Sequence, residues 1–405
     1  MRIGHRRRKG NTMREAHERR GVRETSAESG PPRPGGLQAL LDRRVADGTV
    51  PGAVALVARP GEVETAAAGE LGRGSPVRIA SVGKPVTAAA VLQLVDDGVL
   101  GLDDPVERWL PELADRRVVR TPHAPVTDTV PADRPFTVRD VLESRAGYGF
   151  PADFTLPALA PLFAELGQGP PQPQRVAPPD EWTAVLAGIP MLHQPGAAWL
   201  YNTCSDIQGV LVSRATGRPL DQVLEEQLFD PLGMPDTAFH APPDRLSPLY
   251  RPNPDGTLTV ADPPDGQWST PPPFPSGAGG LVSTLDDVFT FLRMLRSGGR
   301  AEDGRRVLSL GAVRLMTTDH LTERQRAESE LFLEGQGWGY GGSVDVVGRD
   351  PWNAPGRYGW VGGTGTAAHV VRSTGLVTVL LTQREMTGPT PPPLMREFWR
   401  YAAGG

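Results

Sequence analysis

The sequence predicts an α+β fold in which one antiparallel sheet is built from both ends of the chain and a helical insertion separates them. Three observations predict it. Two strand-like runs flank a Pro-Gly turn near the start, a hairpin pattern stands near the end, and the long stretch between carries helical periodicity.

Taken in order, folded sequence begins near Gly36. "LQALLDRRVADG" spaces its apolar residues as a helix does and stops at a glycine. "AVALVARPGEVETAAAGEL" reads as two strands joined at Pro60-Gly61. Helices follow at "PVTAAAVLQLVDDG", "DRPFTVRDVLES", "SDIQGVLVSRATG", "PLDQVLEEQLFDPLG" and "TLDDVFTFLRMLRSGG". Three Pro-rich segments interrupt them, at roughly 121–135, 168–180 and 249–275. Such irregular stretches are often functional loops. "TAAHVVRSTGLVTVLLTQ" is a hairpin turning at Thr374-Gly375, and "PLMREFWRYAAG" closes the chain as a helix. The expected organisation is an Arg-rich disordered leader over 1–35 and one domain over 36–405. Within that domain a sheet subdomain takes about 36–75 and 300–405, and a helical subdomain about 76–299.

Composition narrows the function classes. The chain has 405 residues, a net charge of −5 and a pI of about 5.9, which gives no reason to expect nucleic-acid binding. The leader is the exception: residues 1–34 hold ten basic and four acidic side chains, so +6, leaving −11 for the rest. An arm for nucleic acid or anionic lipid is one reading of it. A dispensable extension, with Met13 as a candidate start, is the reading adopted. One cysteine, Cys204, excludes an internal disulfide framework and a Cys-based zinc cluster. No run approaches the ~18 apolar residues of a membrane span, and no apolar segment of a secretory signal follows the basic start. A cytoplasmic protein is expected, with no membrane partner. No H-E-x-x-H pair exists, so no metal is expected, and His369 reads as structural. "GTGTAA" matches a dinucleotide-binding pattern but runs into a strand instead of opening a helix, so no cofactor is expected.

The chemistry starts from a lysine. Of 42 Lys and Arg residues only Lys9 and Lys84 are lysines, and Lys9 lies in the leader. The body therefore uses arginine for every positive charge except Lys84, three residues after Ser81. Pro85 fits a first helical turn, which puts Ser81 at a helix N-terminus with Lys84 on the same face. Serine becomes a good nucleophile when a base takes its proton. A lysine with a lowered pKa can be that base, whereas arginine keeps its proton. The pattern alone is weak: 16 serines in 405 residues give about a 1-in-25 chance of a Ser at that spacing. It therefore needs partners. Tyr201 in "PGAAWLYN" offers a proton carrier, and Gly362-Gly363 in "YGWVGGTGTAAHV" offers backbone N–H groups to an oxyanion.

In this order and spacing the stretches resemble the serine β-lactamase-like superfamily: class C β-lactamases, DD-peptidases and related esterases. "RIASVGKPVTAAAVLQLVDDG" is similar to its S-x-x-K helix and "FTVRDVLESRAGYG" to the stretch that often holds a His-Thr-Ser-Gly box. "PGAAWLYNTCSDIQGVLVSRATG" is similar to the tyrosine motif, "SGAGGLVSTLDDVFTFLRMLRSGG" to a helix near the site, and "GWVGGTGTAAHVV" to the Lys-Thr-Gly strand. The resemblance covers about 36–402. It implies a β-lactamase/transpeptidase-like fold, Ser81 as nucleophile, Lys84 as base partner and Tyr201 as proton relay. It also implies an oxyanion hole from the N–H groups of Ser81 and Gly363, with Trp360, Gly362 and Tyr148 against the substrate. Two departures weaken a β-lactamase reading. Trp360 replaces the lysine that helps hold a β-lactam carboxylate, and Thr203 stands where a Tyr-x-Asn motif has asparagine. The expected activity is a serine hydrolase acting through an acyl-enzyme on a small ester or amide, or an acyltransferase. A DD-peptidase or β-lactamase is the alternative within the class; a non-catalytic ligand-binding protein on the same fold is the alternative outside it. Trp268 and Phe274 are candidates for an acyl pocket, with packing on the core as the other reading. The sequence does not fix the oligomeric state.

Overall fold

The computed structural model describes residues 35–404, so all but the last residue of the expected leader lies outside it. Helix α1 (Leu37–Ala46) leads into β1 (Gly52–Arg59) and β2 (Glu62–Gly69), which turn at Pro60-Gly61 as expected, with Gly61 at φ +82°. At the far end of the chain come β3 (Gly337–Trp338), β4 (Ser343–Val344), β5 (Arg357–Gly362), β6 (Thr366–Val371) and β7 (Leu376–Thr382). Together they make one seven-stranded antiparallel sheet in the order β2-β1-β7-β6-β5-β4-β3. The join between the two chain ends is the β1–β7 ladder, from Ala53 opposite Thr382 to Ala58 opposite Val377.

The apolar run of β1 is explained by burial of both its faces. Val54, Leu56 and Ala58 point into the large core shared with the helical insertion. Ala53, Ala55 and Val57 point the other way, onto α1 and the closing helix α5 (Pro393–Ala402), which brings Leu394, Met395 and Phe398. His369 on β6 is buried, with its ring edge-on to Trp399 at 5.4 Å, a structural position as expected.

Helix α2 (Lys84–Asp96) is buried on every side from Lys84 to Leu94, which makes it the axis of the insertion. Helix α3 (Thr203–Thr216) packs on it and ends at Gly217 in the left-handed conformation. Helix α4 (Leu285–Arg296) starts at a Thr284 cap and packs on β6 and β7, so the sheet's helical layer reaches back into the stretch assigned to the insertion. Two helices differ from expectation. "DRPFTVRDVLES" is helical only over Val138–Leu142, because Thr137 and Asp140 form a capping box there and Ser144 turns to φ +57°. "PLDQVLEEQLFDPLG" widens to a π-type turn over Glu225–Phe229. Pro231 has no N–H for the Gln227 carbonyl four residues back, and the Gln93 Nε2 donates to that oxygen instead, at 2.9 Å. The third Pro-rich segment holds a hairpin, Leu249–Pro252 with Leu258–Asp262. Among the described residues no helix is long and apolar enough to cross a membrane.

Candidate active site

Three elements meet at Ser81. It sits in a single 3₁₀ turn, Ala80–Gly83, that runs directly into α2, one turn ahead of the helix start that the sequence suggests. Ala80 before it has φ +46°, an uncommon value for a residue with a side chain. The segment is tied down on both sides. Val77-Arg78 pairs with Val282-Ser283, and the Thr364 and Thr366 hydroxyls of the β5–β6 turn donate to the Arg78 and Ile79 carbonyls. Gly362 is required at this crossing, since a Cβ there would stand 2.4 Å from the Ile79 oxygen and 2.2 Å from Thr366 Oγ1.

Lys84 is completely buried, and its Nζ makes hydrogen bonds with Ser81 Oγ at 2.8 Å, Asn202 Oδ1 at 2.9 Å and the Ala278 carbonyl at 2.5 Å. The Tyr201 ring lies under it, centroid 4.8 Å away. Burial pushes the Lys84 pKa down; Tyr201 and Asp206 oppose that shift. The Tyr201 hydroxyl accepts from Trp360 Nε1 at 2.8 Å, which joins the strand β5 to the N-terminal end of α3. The Ser81 and Gly363 N–H groups have no intramolecular acceptor among the described residues.

Ser81, Tyr201, Asn202, Trp360 and Gly363 face a cavity of about 420 Å³. Its wall carries Phe150, Phe163, Phe332, Trp360, and both aromatics singled out in the third Pro-rich segment, Trp268 and Phe274. That segment is held by Arg78, which pairs with the buried Asp262 at 2.5 Å and lies over Trp268. Two carboxylates, Asp206 and Glu385, reach the cavity; among the described residues no arginine or lysine lines it. Glu385 is paired with Arg251.

A family model described as Beta-lactamase matches residues 37–396. The chain belongs to the beta-lactamase family. This beta-lactamase-family chain is 39% identical over 326 residues to Protein Rv1367c of Mycobacterium tuberculosis, covering 77% of this chain and 78% of that one. It is 30% identical over 387 residues to Esterase EstB of Burkholderia gladioli, covering 88% and 92%. Its fold superposes on that of EstCE1, a hydrolase with promiscuous acyltransferase activity, at TM-score 0.74 and 23% identity, covering 91% and 97% of the two chains.

Of the site residues read from the sequence, Ser81, Lys84, Tyr201, Trp360, Gly362 and Gly363 come together in this family member. Tyr148 does not. Its ring is buried against Phe136, its hydroxyl donates to the Ile189 carbonyl at 3.1 Å, and it is absent from the cavity wall. The core has absorbed it, and burial pushes its pKa up to about 12. Four polar residues of the site were not singled out: Asn202, Gln168, Asp206 and Ser276. The Asn202 signal was in the sequence, displaced by one position from the Tyr-x-Asn spacing. Its φ of +82°, which asparagine tolerates better than most residues, turns the side chain onto Lys84. Thr203, in the expected position, donates instead to Gln168 Oε1 at 3.0 Å.

Proposed function

We propose that this chain is a serine hydrolase that forms an acyl-enzyme on Ser81 and acts on uncharged esters or small amides, releasing the acyl group to water or to an acceptor alcohol. The observation that carries this reading is the 2.8 Å contact between the buried Lys84 Nζ and Ser81 Oγ. An amine in that setting favours its uncharged form, which can take a proton.

In the first half-reaction the Lys84 amine takes the Ser81 proton as Oγ bonds to the substrate carbonyl carbon. The carbonyl electrons move onto oxygen, which accepts hydrogen bonds from the free N–H groups of Ser81 and Gly363. Collapse breaks the bond to the leaving group, and the proton on Lys84 passes to that group directly or through the Tyr201 hydroxyl. In the second half, water or an alcohol attacks the acyl carbon, gives its proton to Lys84, and Ser81 leaves with a proton returned from it.

Trp360 and the absence of an arginine or lysine from the cavity wall among the described residues support neutral esters over β-lactams, which carry a carboxylate. A binding-only role is disfavoured by the cost of burying a lysine that would have no chemistry to perform. The esterase name of EstB and the acyltransferase activity named for EstCE1 favour the same chemistry. A cytoplasmic setting belongs to this reading, and a single cysteine, which allows no internal disulfide, is compatible with it. The test is intact-mass spectrometry after exposure to a fluorophosphonate, beside turnover of p-nitrophenyl esters and a cephalosporin. One adduct on the Ser81 peptide, lost in Ser81→Ala, and ester turnover well above cephalosporin turnover are expected. An adduct elsewhere, or a cephalosporin turned over as fast as the best ester, refutes it.

A further inference from the structure

We infer that Asp206, Gln168 and Asn202 form a one-way hydrogen-bond relay that keeps a lone pair of Lys84 aimed at Ser81, and that Gln168 is a positioning residue for the reaction. The inference rests on the acyl-enzyme reading above.

An amide side chain fits its space equally well after a half-turn that exchanges donor and acceptor, so something must fix its sense. Here the anchor is a carboxylate, which when ionised can only accept; burial pushes the Asp206 pKa up, and the hydrogen bonds from Ser276 and Gln168, the Lys84 charge and the Ala278 N–H oppose that shift. Asp206 Oδ2 accepts from Gln168 Nε2 at 2.8 Å. Gln168 Oε1 is thereby turned to Asn202 Nδ2 at 2.8 Å and to the Thr203 hydroxyl. Asn202 Oδ1 is in turn directed at Lys84 Nζ, 2.9 Å away. A second arm starts from the other oxygen. Asp206 Oδ1 accepts from Ser276 Oγ at 2.6 Å and from the Ala278 N–H at 3.1 Å, and the carbonyl of that same Ala278 accepts from Lys84 Nζ. Gly277 allows this approach: a Cβ there would stand 2.3 Å from the Ser205 carbonyl of α3.

Both arms therefore end in an oxygen that only accepts. An uncharged amine has two N–H bonds and one lone pair. The two oxygens take both N–H bonds, and the lone pair is left for the hydroxyl side of the site, where Ser81 Oγ stands at 2.8 Å and the Tyr201 hydroxyl beside it. With Gln168 turned round, Asn202 would present Nδ2 to Lys84 and compete with Ser81 for that lone pair. Gln168 thus acts on the base without touching it. Asp206, Gln168 and Lys84 are all nine-tenths or more buried, so water is a poor substitute for any of these bonds.

The relay is tested with Gln168→Leu and Gln168→Glu, each checked by thermal melting. Leucine removes the relay, and kcat/KM is expected to fall by about 10²-fold at every pH. Glutamate has a sharper signature. Its protonated form keeps an O–H toward Asp206 and a carbonyl toward Asn202, the same sense as glutamine. Its ionised form has no donor and faces a carboxylate. The groups around it that also titrate are Lys84, Tyr201 and Asp206, with the Arg251-paired Glu385 on the cavity wall. In wild type an acid limb alone is expected, from Lys84 gaining a proton and from Asp206, whose raised pKa lets it lose its acceptor-only character as pH falls. Gln168→Glu should gain an alkaline limb, its kcat/KM relative to wild type dropping by at least about tenfold between about pH 6 and about pH 9. A Gln168→Glu profile parallel to wild type overturns the relay, whatever leucine does; so does a folded Gln168→Leu enzyme within about threefold of wild type. Fluorophosphonate labelling of the wild type separates the two readings. No adduct at Ser81 means that the acyl-enzyme fails, whereas a Ser81 adduct with a parallel Gln168→Glu profile means that the relay alone fails.

Discussion

Lys84 distinguishes a base from a mere charge. Lys84→Arg retains the positive charge but holds its proton through any accessible pH. It is expected to fold, by circular dichroism, and to lose about 10²–10⁴-fold in kcat/KM, with Lys84→Ala no better. Arginine within a few-fold of wild type would mean that Lys84 only stabilises charge. The sign of the wild-type pH dependence follows from the same group. Burial lowers the Lys84 pKa, so the amine is free above that lowered value and gains a proton as pH falls through it; the rate should fall on the acid side. At this scale the sequence made Ser81, Lys84, Tyr201 and Trp360 legible, because each chemistry-bearing residue sits at a short spacing from a helix start or on a strand pattern. Gln168 was illegible. It lies between Gly167 and Gly169 in a Pro-rich segment without periodicity, and its partner Asp206 is 38 residues away. Tyr148 misled for the opposite reason: its neighbours matched a motif, but nothing in the local pattern showed that the ring points into the core.

At the scale of elements, the crossing of β5 over the Ser81 turn is the tightest joint of the site. Gly362→Ala would force a Cβ to within 2.4 Å of the Ile79 carbonyl, so either strand or turn must shift. Overpacking of this kind costs about 1–3 kcal/mol. A lower melting temperature and slower Ser81 labelling are expected together; unchanged labelling in a folded variant would show that the joint does not position the nucleophile. Gly188→Ala is the control, since a Cβ there meets nothing within 4 Å and the residue is absent from the cavity wall. The elements themselves were legible where a 2- or 3.6-residue period ran unbroken, as in β1, β6, β7, α2 and α3. They were not where one residue redirected the backbone: the cap at Thr137, the missing N–H of Pro231, and the turn that closes the Leu249–Asp262 hairpin.

For the whole molecule, stability should depend on pH through the layer between the sheet and its terminal helices. His369 is buried there beside Arg357, and burial holds its pKa well below the ordinary 6.5. In the unfolded chain the same imidazole protonates at about its ordinary value. Its contribution is therefore fully present above that value and is lost as pH falls toward the depressed one, by about 1.4 kcal/mol per pH unit. Wild type should melt progressively earlier from about pH 6.5 to about pH 5. His369→Gln should show a shallower slope over that range; an equal slope would assign the acid loss to other groups. The β1–β7 ladder has a different consequence, one that belongs to biosynthesis. Ala53 pairs with Thr382, so partners in adjacent strands of the sheet lie 329 positions apart in the chain. At about 5–20 residues per second a ribosome takes roughly 16–66 s to cover that distance. During that time β1 lacks its partner on the β7 side and keeps an open apolar edge, while first α2 and then α3 emerge. The last strand made is the one that seals it, and until then the nascent chain is a natural client for a chaperone that shields unpaired strand edges.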